Sequence, residues 1–207
     1  MASARHLVVV AGAEPAATDA LATVLRDDGT VRTAYSADAL RESLDAEVDV
    51  VLVDSELVDG SIDPLLTDVR TREFDCQICV TTPGPDDAVA LDTHVDTVVG
   101  REPDAVRQAV HRLAMRARYR ERLEEFYDLA ERRAALAVGE RDQAALDRLD
   151  RQLDRHRRGL DDLSEDLGAD SVFDAALSPD ERTLASRTAD EDTSAEGPSG
   201  PTSPDDE

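Results

Sequence analysis

Two runs near the start, Leu7-Val8-Val9-Val10 and Val50-Val51-Leu52-Val53, are apolar without alternation. That is the pattern of strands covered on both faces, as in the middle of a parallel sheet. Residues 31–35, 76–81 and 95–99 read as three further strands. Between them the period changes. Glu14-Pro15 opens a helix with Pro in its first turn. It carries Ala20, Leu21, Val24 and Leu25 on one face and stops at Asp27-Asp28-Gly29. Ser36 is placed to cap a helix bearing Leu40 and Leu44. Asp63 is placed to cap another, with Pro64 at its first position and Leu65, Leu66 and Val69 inward. A weaker helical pattern covers residues 86–93. Strand and helix thus alternate over about the first hundred residues. This predicts an α/β fold, a five-stranded doubly wound parallel sheet.

From Pro103 the pattern stays helical, with no breaker until Gly139. A second helix is expected over about residues 140–167, where Leu146, Leu149, Leu153, His156, Leu160, Leu163 and Leu167 recur at 3-4-3-4-3-4 spacing. That is a coiled-coil seam sustained for three heptads. A short turn at Val138-Gly139 would fold the two helices into an antiparallel hairpin. A lone hairpin buries only one seam, so a partner, such as a second copy, is expected on it. Ser178-Pro179-Asp180-Glu181 can cap a short helix within residues 169–187. Residues 188–207 are acidic and rich in Ser, Thr, Pro and Gly, the composition of a disordered tail.

Charge changes the picture of where such a chain works. Its 207 residues carry 47 acids against 23 basic residues, a net charge of -24. Every basic residue is Arg, and Lys is absent. Self-repulsion of this size strains a compact fold in dilute salt, whereas at 1 M salt the Debye length is about 3 Å and the repulsion is screened. A cytoplasmic protein of a salt-loaded, halophilic cell is expected. No apolar run reaches transmembrane length, and the first residues lack the features of a signal peptide. The two cysteines, Cys76 and Cys79, lie three apart on an expected strand. That separation is about 10 Å with opposite facing, beyond the roughly 7 Å that a disulfide spans. Two buried core thiols are expected. His6, His94, His111 and His156 show no metal-ligand spacing. His156, in the leucine seam, is expected to be a tolerated, partly buried histidine.

The candidate chemistry sits at Asp54, where an apolar strand ends abruptly in an acid. In open α/β sheets, ligands and chemistry lie at the carboxyl ends of the strands. Glu14-Pro15 after the first strand, Asp54 after the third and Thr81 after the fourth make residues 6–116 resemble the receiver domain of two-component response regulators. The resemblance implies that Asp54 occupies the phosphoacceptor position and Thr81 the switch-hydroxyl position. The family's acid pair falls on Gly12 and Ala13, its Lys on Gly100 (followed by Arg101) and its switch aromatic on Thr97. Residues 118–136, from Arg118 to Leu136, resemble the start of a HalX domain, which follows receivers in response regulators of halophilic archaea. The implied organisation is a degenerate receiver over residues 6–116, a HalX helical hairpin over 117–168, a short helix within 169–187 and the tail.

Phosphoryl transfer to a carboxylate requires a metal ion and a cation to neutralise charge. Mg²⁺ demands oxygen ligands in near-octahedral geometry. Gly12 and Ala13 supply no such oxygens and Gly100 supplies no charge, while Arg101, one residue late, is not expected to swing in. The expectation is a non-enzymatic signalling protein without metal or cofactor, acting through protein contacts. Its partners would be a histidine kinase or another regulator, with a homodimer through the hairpin. The alternative is a working response regulator, phosphorylated on Asp54 with Mg²⁺ and read out through Thr81. No Gly-rich phosphate loop, nucleophile elbow or Ser/His/Asp set suggests another enzyme. Residues 101–158 hold 15 Arg against 12 acids, a net of +3, and the rest hold 8 Arg against 35 acids, a net of -27. Nucleic acid is nevertheless not an expected partner. With about five phosphate contacts, moving from roughly 0.15 M to 3 M salt costs on the order of a million-fold in affinity. The Arg face is expected to pair with acids of the same or a partner helix.

Overall fold

The computed structural model describes residues 6–72, 74–84, 95–139 and 143–168. All of them belong to one compact unit, Met1–Ala176. The order is β1 (His6–Ala11), α1 (Pro15–Leu25), β2 (Gly29–Ala34), α2 (Ala37–Ser43), β3 (Val50–Asp54), α3 (Asp63–Thr71), β4 (Gln77–Thr82), β5 (Thr97–Gly100), α4 (Pro103–Gly139) and α5 (Gln143–Leu167). The strands form one sheet in the order β2-β1-β3-β4-β5, every pair parallel. This is the receiver, or flavodoxin-like, order. The helical region at residues 103–167 follows it.

The unalternated strands are explained by two apolar layers. Successive side chains of a strand point to opposite faces, so each strand must be apolar at every position. Val9, Val51, Val53, Ile78 and Val80 meet Leu40 of α2 and Leu65, Leu66 and Val69 of α3 on one face. Val8, Val10, Val50, Leu52 and Cys79 meet Ala22 and Leu25 of α1 and Val106, Val110 and Leu113 of α4 on the other. Cys76 and Cys79 fall in different layers, both buried and free. Burial pushes their thiols up to about 11 and about 12 respectively, so neither is a reactive thiolate at neutral pH.

Several local expectations are met and others shift. Ser36 Oγ accepts from the Ala39 N–H at 3.1 Å and caps α2. In α3, by contrast, Ile62 occupies the cap position and Asp63 lies inside the first turn. There its Oδ2 accepts from Ser61 Oγ at 2.6 Å. The buried face of α1 is Thr18, Ala22 and Leu25, and Ala20 is exposed. The apolar stripe read from the sequence is rotated because the sheet takes the small Ala22 rather than Ala20. Leu21 and Val24 then line the flank of a cavity beside the helix.

α4 runs unbroken from Pro103 to Gly139, so the boundary drawn at residue 117 lies within one helix. Its first turns pack on the sheet, and the remainder extends beyond it. α5 returns antiparallel along that extension. Arg133 pairs with Asp150, Glu125 lies beside His156, and Arg122 passes over Gly159. The seam positions of α5 are half-buried and none is fully buried. His156 Nδ1 is 3.3 Å from Glu125 Oε2, at an angle that makes no hydrogen bond. The weak helical pattern at 86–93, His94, the short helix within 169–187 and the tail all lie outside the described residues.

Candidate functional site

β3 and β4 are paired so that Asp54 and Thr81 are direct neighbours. Both come from the same parity as Leu52 and Cys79, so both point to the α1 and α4 side of the sheet. β5 ends one residue before Arg101, and the turn from there into α4 brings Arg101 back over the strand ends. Three sequence-distant groups therefore meet. Arg101 Nη2 donates to Asp54 Oδ1 at 2.7 Å and to Glu56 Oε2 at 2.5 Å. Thr81 Oγ1 donates to Asp54 Oδ2 at 3.3 Å. The Glu56 backbone N–H donates to Asp54 Oδ1 at 2.9 Å.

This corrects the expectation for the cation position. Gly100 does sit at the end of β5 without charge, but Arg101 is not idle. A guanidinium on a long stem reaches where an ammonium one residue earlier would point. Its hydrogen bond with Asp54, supplemented by Glu56, raises the Arg101 pKa above its ordinary value. Arg101 therefore stays protonated at any working pH. The site is only partly shielded: the side chains of Asp54 and Arg101 are 20% and 37% exposed.

The acid-pair positions differ from each other. Ala13 is exposed on the rim, whereas Gly12 is buried against α1. Thr18 Oγ1 donates to the carbonyl oxygens of Gly12 (3.2 Å) and Glu14 (2.8 Å). A Cβ on Gly12 would lie 2.6 Å from Thr18 Oγ1 and 3.6 Å from Asp54 Cβ. Gly12→Ala is therefore expected to destabilise the fold by about 1–3 kcal/mol through overpacking. An aspartate there would meet the same obstacle. The penalty should shrink when Thr18→Ala removes the obstructing oxygen. Urea titration of both single variants and the double variant checks this, and simple additivity would contradict it.

The carboxylates that line this edge are Asp54, Glu14 and Glu56. Both carboxylate oxygens of Asp54 are already hydrogen-bonded, and Gly12 and Ala13 bring no side-chain oxygen. Among the described residues, no group of three or more His, Cys, Asp or Glu side chains is arranged to hold a metal ion. Thr97 stands at the start of β5, in register with Cys79. Beneath the site lies a cavity of about 380 Å³, lined by Ala17, Ala20, Leu21 and Val24 of α1 and by Leu52, with Asp54, Thr81 and Arg101 at its mouth. The residue that sequence reasoning missed is Glu56. Its signal was an acid two positions after Asp54, which alone is no motif.

No family model matches the chain. A protein of Haloferax volcanii described as a putative transcriptional regulator is 28% identical over 141 residues, covering 67% of this chain and 22% of that protein. The chain thus spans about a fifth of the length of that relative. Solved structures similar over about half of this chain are response-regulator receiver domains. The receiver domain of NarL from Mycobacterium tuberculosis is 20% identical, covering 54% of this chain and 98% of that one, with a TM-score of 0.48. A CheY-like receiver domain protein from Methanospirillum hungatei is 17% identical, covering 53% and 94%, with a TM-score of 0.45. TrrA from Thermotoga maritima, solved with Mg²⁺ and BeF, is 21% identical, covering 52% and 98%, with a TM-score of 0.47. The architecture described above rests on the strand order and register of this chain itself. Among the described residues, no helix is long and apolar enough to cross a membrane.

Proposed function

We propose that this protein is a two-component-type signalling regulator with a degenerate receiver and a HalX hairpin, acting by protein contact without phosphoryl transfer. The observation that carries the reading is the internal neutralisation of Asp54. Arg101 holds one of its oxygens and Thr81 the other. A phosphoacceptor aspartate must present a free oxygen to the incoming phosphoryl group, with a metal ion beside it. Here the cation that would steady a phosphoryl group is spent on the carboxylate. The positions that would hold the metal are Gly12 and Ala13. In this reading the fold is kept as a surface for a histidine kinase or another regulator, and nucleic acid is not a partner.

The alternative, a switch phosphorylated on Asp54, draws on the same Arg101. If Arg101 released Asp54 to bind a phosphoryl group, Thr81 would already stand in position to follow. The test is incubation with acetyl phosphate and Mg²⁺ in multi-molar KCl, followed by intact-mass measurement, with Asp54→Asn alongside. No mass increase is expected in either protein. A phosphoryl adduct that disappears in Asp54→Asn would overturn the proposal and establish the switch.

A further inference from the structure

The hairpin carries two charged edges that its own packing does not use. On α5, Arg148, Arg151, Arg155 and Arg158 recur at 3-4-3 spacing, all exposed. At 100° per residue they stand opposite the leucine seam, on the edge facing away from α4. Arg155 and Arg158 donate only to the backbone carbonyls of Arg151 and Asp154, at 3.4 Å and 3.0 Å. Among the described residues none of the four forms an ion pair with a carboxylate. Some arginines elsewhere do: Arg107 with Asp28, Arg120 with Asp75 and Arg133 with Asp150.

The matching edge is on α4. Glu121, Glu124, Asp128 and Glu131 recur at the same 3-4-3 spacing, and all four are exposed without an ion-pair partner among the described residues. They stand opposite Phe126, on the edge of α4 facing away from α5. Each stripe spans eleven residues, or about 15 Å of helix from first to last. The lower end of the acidic stripe opens onto a groove of about 690 Å³ between α4 and the amino-terminal ends of β1 and β3, to which Asp49, Asp75, Glu121 and Glu124 contribute. Partial burial, with Asp75 next in effect, raises the Glu124 pKa above its ordinary value. Arg32 and Arg118 also line this groove, and Asp75 is paired with Arg120.

We propose that a second copy of this chain covers each edge: the arginine edge of α5 in one copy lies against the acidic edge of α4 in the next. The occupant follows from charge and dimension together. With a net charge of -24, most orientations of two copies repel in dilute salt, and beyond direct contact that repulsion is screened at molar salt. Juxtaposing these two stripes reverses the sign locally, and their equal spacing and length let four guanidinium groups meet four carboxylates in register. The two edges lie on opposite sides of the hairpin, so one partner cannot satisfy both. The association is therefore head-to-tail rather than two-fold, and it extends beyond a dimer unless it closes into a ring. It differs from a dimer through the leucine seam and is independent of what happens at Asp54.

Analytical ultracentrifugation of the full chain at one fixed salt concentration tests this. The weight-average mass should rise above 22.4 kDa with protein concentration. Arg151→Glu/Arg155→Glu and Glu124→Arg/Asp128→Arg, the inner pairs of the two stripes, should each weaken association at least tenfold. An equimolar mixture of the two variants should restore it, because every edge again faces its opposite. That restoration also shows that both variants are folded. A mass fixed at 22.4 kDa at all concentrations would overturn the proposal. So would association untouched by either charge reversal, failure of the mixture to recover, or capture of a DNA duplex by the same arginines with no self-association.

Discussion

Arg70→Met is expected to cost about 3–5 kcal/mol of folding stability, the largest loss of any single ion-pair partner among the described residues. Asp96 is the reason. It precedes β5, and its carboxylate side chain is only 4% exposed. Its Oδ2 accepts from Arg70 Nη2 at 2.5 Å and from the Ile78 N–H at 2.7 Å, while its own N–H donates to the Ile78 carbonyl at 2.9 Å. Arg70 also donates to the Cys76 carbonyl at 2.7 Å. One buried pair thus ties α3, the start of β4 and the approach to β5. Removing the guanidinium strands a carboxylate where water does not reach it, and the penalty is that of an uncompensated buried charge. Asp96→Asn in the same background keeps an acceptor for Ile78 without the charge and should recover part of the loss. Chemical denaturation of the three proteins measures it. A cost below about 1 kcal/mol would mean that the pair behaves like a solvated surface bridge such as Arg107–Asp28.

Leu113→Ala should cost about 2–5 kcal/mol, as a large-to-small change in a packed core. Leu113 is 1% exposed and packs with Val106, Val110 and Ala114 onto the sheet. Leu153→Ala in α5 makes the same chemical change at a half-buried position, with an expected cost below about 1.5 kcal/mol. The contrast follows from where α4 lies: its first turns are sheet core, while its extension has only α5 beside it. Amide exchange should follow the same gradient, with α5 opening first and the sheet-bound turns of α4 last. Equal costs for the two leucines would mean that the hairpin is as tightly packed as the sheet.

The hydrophobic pattern predicted five strands, the burial of β1 and β3 on both faces and the long helix from Pro103, because period and continuity are local properties that burial selects directly. It also placed Asp54 and Thr81 at strand ends, where register then made them neighbours. The rotated face of α1 was not legible, since Ala20 and Ala22 are equally small and only the sheet chooses between them. The α3 cap shifted because Asp63 and Ile62 compete within one turn, and cap position depends on the incoming loop.

By itself, then, the sequence determined the parallel sheet, the sorting of Cys76 and Cys79 into the core and the loss of carboxylates at Gly12 and Ala13. Each of these follows from residue type at a position. Only the tertiary structure decided that Arg101 neutralises Asp54, that Thr18 fills the space beside Gly12, and that Arg70 and Asp96 share one buried site. The first and last depend on loops that bring residues 47 and 26 positions apart within hydrogen-bond reach, and the second on the turn that folds α1 back six residues after Gly12. No local pattern encodes the direction in which a long side chain folds back over a strand end.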